Sequence, residues 1–235
     1  MVEASPRVVM ISGANRGIGA ALAVHLAETG WRLSLGVRDP ARLAAAPGDA
    51  QTLVCRYEAR DPASEAAWTE ATAERFGRID AVIANAGIMI PKTVIEARDE
   101  ELDDLLQVNV RAPLRLVRAA WPWLTQSGRG RVITIVSLSG LRVKSAKSGL
   151  YATSKFAALA LTHAIRQAGW DLGVRATAVC PGFVATDMAA GLTERTVESM
   201  TQPADLARII GLVLDLPNTA SVAEIPINST LEEMV

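Results

Sequence analysis

The sequence predicts an α/β fold, in which a mostly parallel sheet of seven strands is doubly wound, with helices on both faces. Two observations support this prediction. Short apolar segments of four to seven residues alternate with helical segments along the chain, and this alternation is typical of βαβ units. A glycine-rich segment joins the first apolar segment to the first helical one. We expect residues 1–235 to form a single domain.

Seven segments have the composition of buried strands, because they are short, apolar and often β-branched. They are Val8–Ser12, Arg32–Val37, Thr52–Cys55, Ala81–Ala84, Arg131–Val136, Val174–Cys180 and Val222–Ile227. Strands of a parallel sheet that is covered on both faces read as continuous apolar runs rather than as alternating ones.

Helical periodicity lies between these strands. The predicted helices are Ala20–Thr29, a short helix Pro40–Ala46, Ala63–Phe76, Asp99–Leu124, Leu150–Ala168 and Pro203–Leu214. Gly30 and Gly77 follow two of them as helix-ending residues. Pro113 lies inside the longest helix and predicts a bend near Ala112, since proline lacks the N–H group that the helix needs.

Composition and charge exclude several functional classes. A net charge of −1, with acidic and basic residues interspersed, provides no basic surface for nucleic acid or an anionic membrane. His25 and His163 lie in separate helices without other ligands at metal-binding spacing. Cys55 and Cys180 lie in apolar strands. We therefore expect two free thiols, with neither a metal site nor a disulfide.

The N-terminal segment and the apolar runs favour a cytoplasmic protein. Met1–Arg7 carries Glu3 and Pro6, and the apolar run after it is only Val8–Ile11, so we expect no signal peptide. No apolar run reaches the roughly 20 residues that a membrane-spanning helix needs. The expected partner is a small molecule.

The segment Ser12–Gly19, with the sequence SGANRGIG, predicts dinucleotide binding. Glycines allow a tight turn and let the backbone approach a pyrophosphate, and the following helix offers free N–H groups and its positive dipole end. The spacing is G-x-x-x-G-x-G instead of the commoner G-x-G-x-x-G. The candidate cofactor contacts are Gly13, Asn15, Arg16, Gly17, Ile18 and Gly19.

The end of the second strand is expected to distinguish NADP from NAD. A carboxylate there would bind the 2′-hydroxyl of NAD, whereas an arginine suits the 2′-phosphate of NADP. Val37 is followed by Arg38 and Asp39, and Arg16 could supply a second cation. We favour NADP over the alternative in which Asp39 binds the ribose and Arg38 is solvated.

Tyr151 and Lys155 are four residues apart, which places them on one face of a predicted helix. An ammonium group one turn away is expected to lower the pKa of the phenol from about 10 toward the range that suits proton transfer at neutral pH. Alone, the spacing is weak, because a surface tyrosine beside a solvated lysine is far commoner.

Four motifs in this order resemble those of the classical short-chain dehydrogenase/reductase family, from about Val8 to Met188. They are the glycine-rich loop, Asn85-Ala86-Gly87, Tyr151-x-x-x-Lys155 and Pro181-Gly182. The resemblance implies a Rossmann fold with strand order 3-2-1-4-5-6-7. It also implies hydride transfer between a nicotinamide cofactor and a carbonyl or alcohol. Tyr151 would be the acid/base, and Lys155 would lower its pKa and bind the nicotinamide ribose.

The resemblance implies a serine that holds the substrate oxygen beside Tyr151. Family members usually place it three residues before a glycine and thirteen before the tyrosine. Ser137 is three before Gly140 but fourteen before Tyr151, and Ser139 is one before Gly140 and twelve before Tyr151. We choose Ser137, because the loop Leu141–Gly149 absorbs an extra residue more easily than the strand end does.

Asn109 matches the family's helix asparagine, whose local backbone distortion positions a proton-relay water. The other cofactor contacts implied by the resemblance follow the third, fourth and sixth strands. They are Glu58, Asn85, Ala86, Gly87, Pro181, Gly182, Val184 and Thr186. In the family, the Asn-Ala-Gly motif packs against the adenosine ribose, and the positions of Val184 and Thr186 hold the carboxamide. Glu58 is the nearest match to an aspartate that often contacts adenine.

Substrate and assembly are less constrained. Residues 187–202 correspond to a short substrate lid, and Ile88–Ile90 and Leu141 are apolar candidates for the pocket wall, so a small aldehyde or ketone is the default substrate. Three cations in Arg142–Lys147 could attract an anionic substrate, although a solvated loop is commoner. Ala223–Asn228 lacks the Gly-Gly of tetrameric members, so a homodimer through the long helices competes with a homotetramer.

Two other functions compete with an NADP-dependent carbonyl reductase or the reverse alcohol dehydrogenase. A regulatory, nucleotide-sensing protein of this fold often lacks the tyrosine or the lysine, and this chain has both. Epimerases and dehydratases of related fold usually carry a larger C-terminal substrate domain. Fold alone does not separate these functions.

Overall fold

The structure is a computed structural model that describes residues 6–43 and 46–231. Its strands are β1 (Val8–Ser12), β2 (Arg32–Val37), β3 (Thr52–Arg56), β4 (Ala81–Ala84), β5 (Arg131–Ile135), β6 (Arg175–Pro181) and β7 (Glu224–Ile227). They form one sheet in the order β3-β2-β1-β4-β5-β6-β7. Every neighbouring pair is parallel. The predicted fold class and strand order are confirmed. Three strands have the predicted bounds, and the bounds of the other four differ by one or two residues.

The helices lie between the strands as predicted. They are α1 (Gly17–Glu28), α2 (Pro62–Phe76), α3 (Asp99–Leu106), α4 (Ala112–Gln126), α5 (Gly149–Gly169) and α6 (Pro203–Asp215). The prediction that α1 begins at Ala20 is wrong, because the helix starts within the glycine-rich segment with Arg16 as its N-cap residue. The predicted helix Pro40–Ala46 is only the 3-10 turn Pro40–Arg42, and residues 44–45 lie outside the described residues, as do residues 1–5 of the predicted N-terminus.

The predicted bend in the long helix takes the form of a π-helical turn. The turn spans Gln107–Arg111, between α3 and α4, so the distortion lies just before Ala112. Pro113 has no N–H group to bond the carbonyl of Asn109 four residues earlier, and its ring would clash with that carbonyl in a regular helix. A wider turn accommodates both constraints.

Alternating side chains of the sheet build two cores. Val9 and Ile11 belong to the cluster that α1 and α6 cover, whereas Met10 belongs to the cluster that contains Trp68 of α2 and Leu116 of α4. This period of two is a property of extended strands. The two helical layers therefore leave the carboxyl ends of the parallel strands at one uncovered edge, where open α/β sheets bind ligands.

Cys55 and Cys180 are both free thiols, the second fully buried. Across residues 6–43 and 46–231, no helix is long and apolar enough to cross a membrane.

Candidate active site

A cleft of about 850 Å³ opens at the carboxyl edge of the sheet. Every site residue predicted from the sequence lines it except Gly19 and Asn109, which lie directly behind its wall. The predicted residues in the lining are Gly13, Asn15, Arg16, Gly17, Ile18, Arg38, Glu58, Asn85, Ala86, Gly87, Ser137, Tyr151, Lys155, Pro181, Gly182, Val184 and Thr186. The topology thus brings together motifs from six strand ends.

The glycine-rich loop forms a compact cradle between β1 and α1. Gly13 adopts a left-handed conformation, with φ of 68°, and its N–H donates to the carbonyl of Gly36 at 2.8 Å. Gly19 is buried in the first turn of α1, where an added Cβ would lie 2.3 Å from the Gly13 carbonyl oxygen. Only glycine lets the helix approach the turn this closely. The N-terminus of α1 therefore faces the cleft.

We expect Gly19→Ala to destabilise the protein by at least about 2 kcal/mol, because the backbone atoms that its Cβ would meet cannot move aside. The matched control is Gly149→Ala at the start of α5. There φ is −60° and the nearest atom would lie 3.5 Å away, so we expect a change of less than about 1 kcal/mol. Urea unfolding of both variants measures the difference. Equal stability of the two would contradict the close approach.

Ser12 and Asn85 tie the ends of β1 and β4 together. The Ser12 hydroxyl accepts from the N–H groups of Asn85 and Ala86, each at 3.0 Å. The Asn85 amide donates to the carbonyls of Ser12 at 2.9 Å and Gly13 at 3.2 Å. Asn85 therefore supports the cradle with its side chain. Ser12 was not among the predicted site residues, and its position at the strand end before the first glycine was the available signal.

Asn109 is buried behind the cleft and fixes the segment after β4. Its side-chain oxygen accepts from the Ile88 N–H at 3.0 Å, and its amide donates to the Ile88 carbonyl and to the Ser154 hydroxyl, each at 3.0 Å. Ser154 in turn donates to the carbonyl of Tyr151 at 2.7 Å. Ser154 was not among the predicted site residues, and it links the π-helical turn to the helix that carries Tyr151.

Tyr151 lies in the first turn of α5 and is 8 % exposed. Burial raises the pKa of its phenol to about 12, and a side-chain hydrogen bond with Ser137 opposes that rise. Ser137 is held in turn by the N–H of Ser139, which donates to its hydroxyl at 3.1 Å. Of the two candidate serines, Ser137 is therefore the one that contacts the phenol.

Lys155 is also buried, one turn further along α5. Its Nζ donates to the carbonyl of Ile135 at 2.9 Å and lies 5.6 Å from the centroid of the Tyr151 ring. Burial lowers the pKa of the ammonium to about 8, while Cys180 acts in the opposite direction. The expected net lowering of the pKa of Tyr151 is wrong for this structure. The ammonium points to the end of β5, and burial of the phenol dominates.

At the end of β2, Arg38 and Asp39 have different surroundings. Arg38 is exposed and lines the cleft. The Asp39 carboxylate instead accepts from the N–H of Ala41 at 3.1 Å and caps the 3-10 turn. Glu58 lines the same end of the cleft, and its carboxylate accepts from the N–H of Arg60 at 3.2 Å.

Arg16 makes a contact that the sequence did not predict. Its guanidinium pairs with the Asp187 carboxylate at 2.9 Å, and both side chains are largely exposed. This ion pair joins the glycine-rich loop to residues 187–202.

The segment after β6 closes the cleft from above. Val184 pairs with Thr201 in a short bridge, and the N–H of Ala185 donates to the Thr201 carbonyl at 3.0 Å. The Thr186 hydroxyl donates to the carbonyl of Val184 at 3.3 Å, and its methyl group faces Gly17. The two ends of residues 187–202 are therefore fastened beside α1.

Comparison with known proteins gives three results. A family model described as short chain dehydrogenase matches residues 7–196. An agropine synthesis reductase of Rhizobium rhizogenes is 40% identical over 94% of this chain and 52% of that protein. An uncharacterized oxidoreductase of Staphylococcus saprophyticus is 31% identical over 97% of this chain and 99% of that protein.

Among solved structures, an alcohol dehydrogenase from the archaeon Thermococcus sibiricus, complexed with 5-hydroxy-NADP, superimposes with a TM-score of 0.86. The two chains are 28% identical, and the superposition covers 97% of this chain and 98% of the dehydrogenase chain. The present chain spans about half the length of the agropine synthesis reductases that it matches.

Proposed function

Because this chain belongs to the short-chain dehydrogenase/reductase family, an NAD(P)-dependent group of enzymes, we propose that it is an NADP-dependent carbonyl reductase, or the reverse alcohol dehydrogenase. The substrate would be a small aldehyde, ketone or alcohol. The observation that carries this proposal is the contact of Ser137 with Tyr151, beside Lys155, in the cleft that also holds the glycine cradle.

The described residues fit a nicotinamide dinucleotide. The cradle at Gly13 and Gly19 leaves room only for backbone, and the N-terminus of α1 faces the cleft, which suits a pyrophosphate. Pro181, Gly182, Val184 and Thr186 also line the cleft, and Val184 and Thr186 would hold the carboxamide. When bound, the cofactor supplies or accepts the hydride.

Tyr151 would donate a proton to the carbonyl oxygen in the reductive direction. A pKa of about 12 keeps the phenol protonated at neutral pH, which is the state that a general acid needs. Ser137 is placed to hold the same substrate oxygen, because its hydroxyl contacts the phenol. Lys155 would bind the nicotinamide ribose and stabilise the phenolate that remains after the transfer.

Asn109 would support proton return to the site. Its side chain is fully engaged with Ile88 and Ser154, so its part in catalysis falls to its backbone carbonyl. Pro113 cannot donate to that carbonyl. The carbonyl in the π-helical turn would then accept from a water molecule that would exchange protons with Lys155.

We expect Ser137→Ala to lower kcat/KM by about 100-fold, because the substrate oxygen loses a positioned donor. Ser139→Ala is the matched control, since it keeps the N–H that supports Ser137, and we expect a change of less than about threefold. Steady-state kinetics with one aldehyde substrate measure both. A larger loss of kcat/KM in Ser139→Ala than in Ser137→Ala would show that Ser139, and not Ser137, holds the substrate oxygen.

NADP is the proposed cofactor because of the charges at the end of β2. Arg38 lines the cleft, whereas the Asp39 carboxylate is turned to the Ala41 N–H. A 2′-phosphate would therefore meet a guanidinium rather than a carboxylate. Arg16 of the glycine-rich loop also lines the cleft. It would bind the phosphate only if its ion pair with Asp187 were broken.

We expect Arg38→Gln to raise the KM for NADPH by about tenfold or more and to leave the KM for NADH nearly unchanged, since a charge-assisted hydrogen bond is lost only with the phosphorylated cofactor. Arg208→Gln removes an exposed charge on α6, outside the cleft lining, and is the control. If kcat/KM of the wild-type protein is as high with NADH as with NADPH, the assignment to NADP is wrong.

Residues 187–202 would act as the substrate lid of a single domain covering residues 1–235. A homodimer or homotetramer and a cytoplasmic location remain predictions from the sequence.

A further inference from the structure

The cleft carries a charge imbalance that the chain as a whole does not. The net charge of the chain is −1. Among the described residues that line the cleft, seven are cationic and two are acidic. The cations are Arg16, Arg38, Arg60, Lys144, Lys147, Lys155 and Arg195, and the acids are Glu58 and Asp187.

Both acidic residues already face arginines. Asp187 pairs with Arg16 at 2.9 Å, and Glu58 lies 3.8 Å from Arg60. These two ion pairs involve the glycine-rich loop and the segment after β3. The proposed cofactor would lie along both of them, with its 2′-phosphate at Arg38. Arg195 and Lys147 belong neither to these pairs nor to the proposed cofactor contacts.

Arg195, in the segment 187–202, is fixed by several contacts of its guanidinium. It is half-buried, and its guanidinium bonds the hydroxyls of Ser229 and Thr230, each at 3.3 Å. It also lies 5.7 Å from the centroid of the Phe183 ring. These partners are uncharged, so they orient the guanidinium without neutralising it.

Lys147 also lines the cleft, and it lies four residues before Tyr151 in the sequence. The 3-10 turn that carries it is closed by reciprocal hydrogen bonds between Ser145 and Ser148, at 3.1 and 3.2 Å. A turn closed on both sides by hydrogen bonds therefore carries an exposed lysine of the cleft lining. Within the described part of the chain, neither Lys147 nor Arg195 forms an ion pair with a carboxylate.

Apolar side chains line the same cleft as these cations. Met89 and Pro91 follow β4 in the chain, and Met188 and Leu192 belong to residues 187–202. An apolar stem with a charged end matches such a pocket, because low-dielectric walls strengthen the attraction between a fixed cation and an anion.

From this arrangement we propose that the substrate is a carbonyl compound that carries a carboxylate, which Arg195 and Lys147 bind while Ser137 and Tyr151 hold the carbonyl oxygen. The inference rests on the proposed function, since it names the substrate class of the same site. A guanidinium held by neutral hydroxyls keeps further N–H groups for a two-point contact with a carboxylate.

Matched pairs of oxo acids and their methyl esters test this inference. Wild-type kcat/KM is measured with NADPH for 4-oxopentanoate, 5-oxohexanoate and 6-oxoheptanoate and for each methyl ester. Dissociation constants for the same compounds are measured by calorimetry on NADPH-loaded Tyr151→Phe protein, which needs no turnover. We expect at least one acid to be favoured over its ester by about tenfold, and we expect this preference to fall in about 0.5 M salt.

Arg195→Gln and Lys147→Gln should each reduce the acid preference severalfold and leave the esters nearly unchanged, whereas Arg208→Gln on α6 should change neither. Equal binding of acid and ester throughout the series, or a preference that both variants leave intact, would overturn the inference. Turnover of esters without preference for the acids would leave the reductase function standing alone. Preferential binding of an acid without turnover would keep the anion site and contradict the reductase function.

Discussion

Tyr151→Phe is expected to lower kcat by at least about 1,000-fold while the dissociation constant for NADPH changes by less than about threefold. The phenol is the proposed proton donor to the substrate oxygen, and positioned general acids contribute about 100- to 10,000-fold. The hydroxyl is buried and bonded to Ser137, so its removal acts at the reacting oxygen without disturbing the cradle at Gly13 and Gly19.

Two measurements separate a catalytic from a structural effect of this substitution. Thermal unfolding in the presence of NADPH should show that the variant retains cofactor stabilisation. Steady-state kinetics should show that kcat falls far more than KM rises. Turnover within about tenfold of wild type would remove Tyr151 from the role of acid.

Lys155→Met is expected to lower kcat/KM by at least about 100-fold and at the same time to raise the stability of the cofactor-free protein at pH 7. The activity loss follows from the loss of the ammonium that would bind the ribose and stabilise the phenolate. The stability gain follows because an ammonium that is 5 % exposed, with one carbonyl partner at 2.9 Å, is replaced by an apolar side chain of similar length.

The pH dependence of that gain is fixed by the pKa of Lys155. Its pKa in the folded protein is about 8, below the ordinary value of 10.5, so between these values the unfolded chain binds more protons than the folded one. Stability therefore rises with pH across this window. We expect the difference in Tm between variant and wild type to be several degrees at pH 7 and to shrink as pH approaches 10. A difference that is constant from pH 7 to 10 would contradict the burial of a charged Lys155.

Residue patterns predicted most of the fold because its signals are local. Apolar strands alternating with helices determined the parallel sheet, and the glycine spacing placed the first turn. The form of the distortion at Asn109 was harder to predict. Pro113 indicated a bend, but a kink and a π-helical turn both relieve a missing N–H, and the packing of α3 and α4 decides between them.

Electrostatics at the site were predicted less well than position. The spacing of Tyr151 and Lys155 placed them on one face, as the structure shows, yet it carried no information on burial. Burial reverses the expected direction of the pKa change of Tyr151. The Arg16–Asp187 pair and the Ser154 link also join residues that are distant in sequence, and such contacts follow from the assembled fold alone.

The most direct test of the central claim is transfer of label from cofactor to product. Wild-type protein is incubated with NADPH carrying deuterium at C4, in separate 4R and 4S forms, and with a panel of aldehydes, ketones and oxo acids. Products are analysed by mass spectrometry. We predict that one form, and only one, yields an alcohol heavier by one mass unit with deuterium on the former carbonyl carbon. Saturable NADPH binding with no labelled product from any compound of the panel would contradict the account.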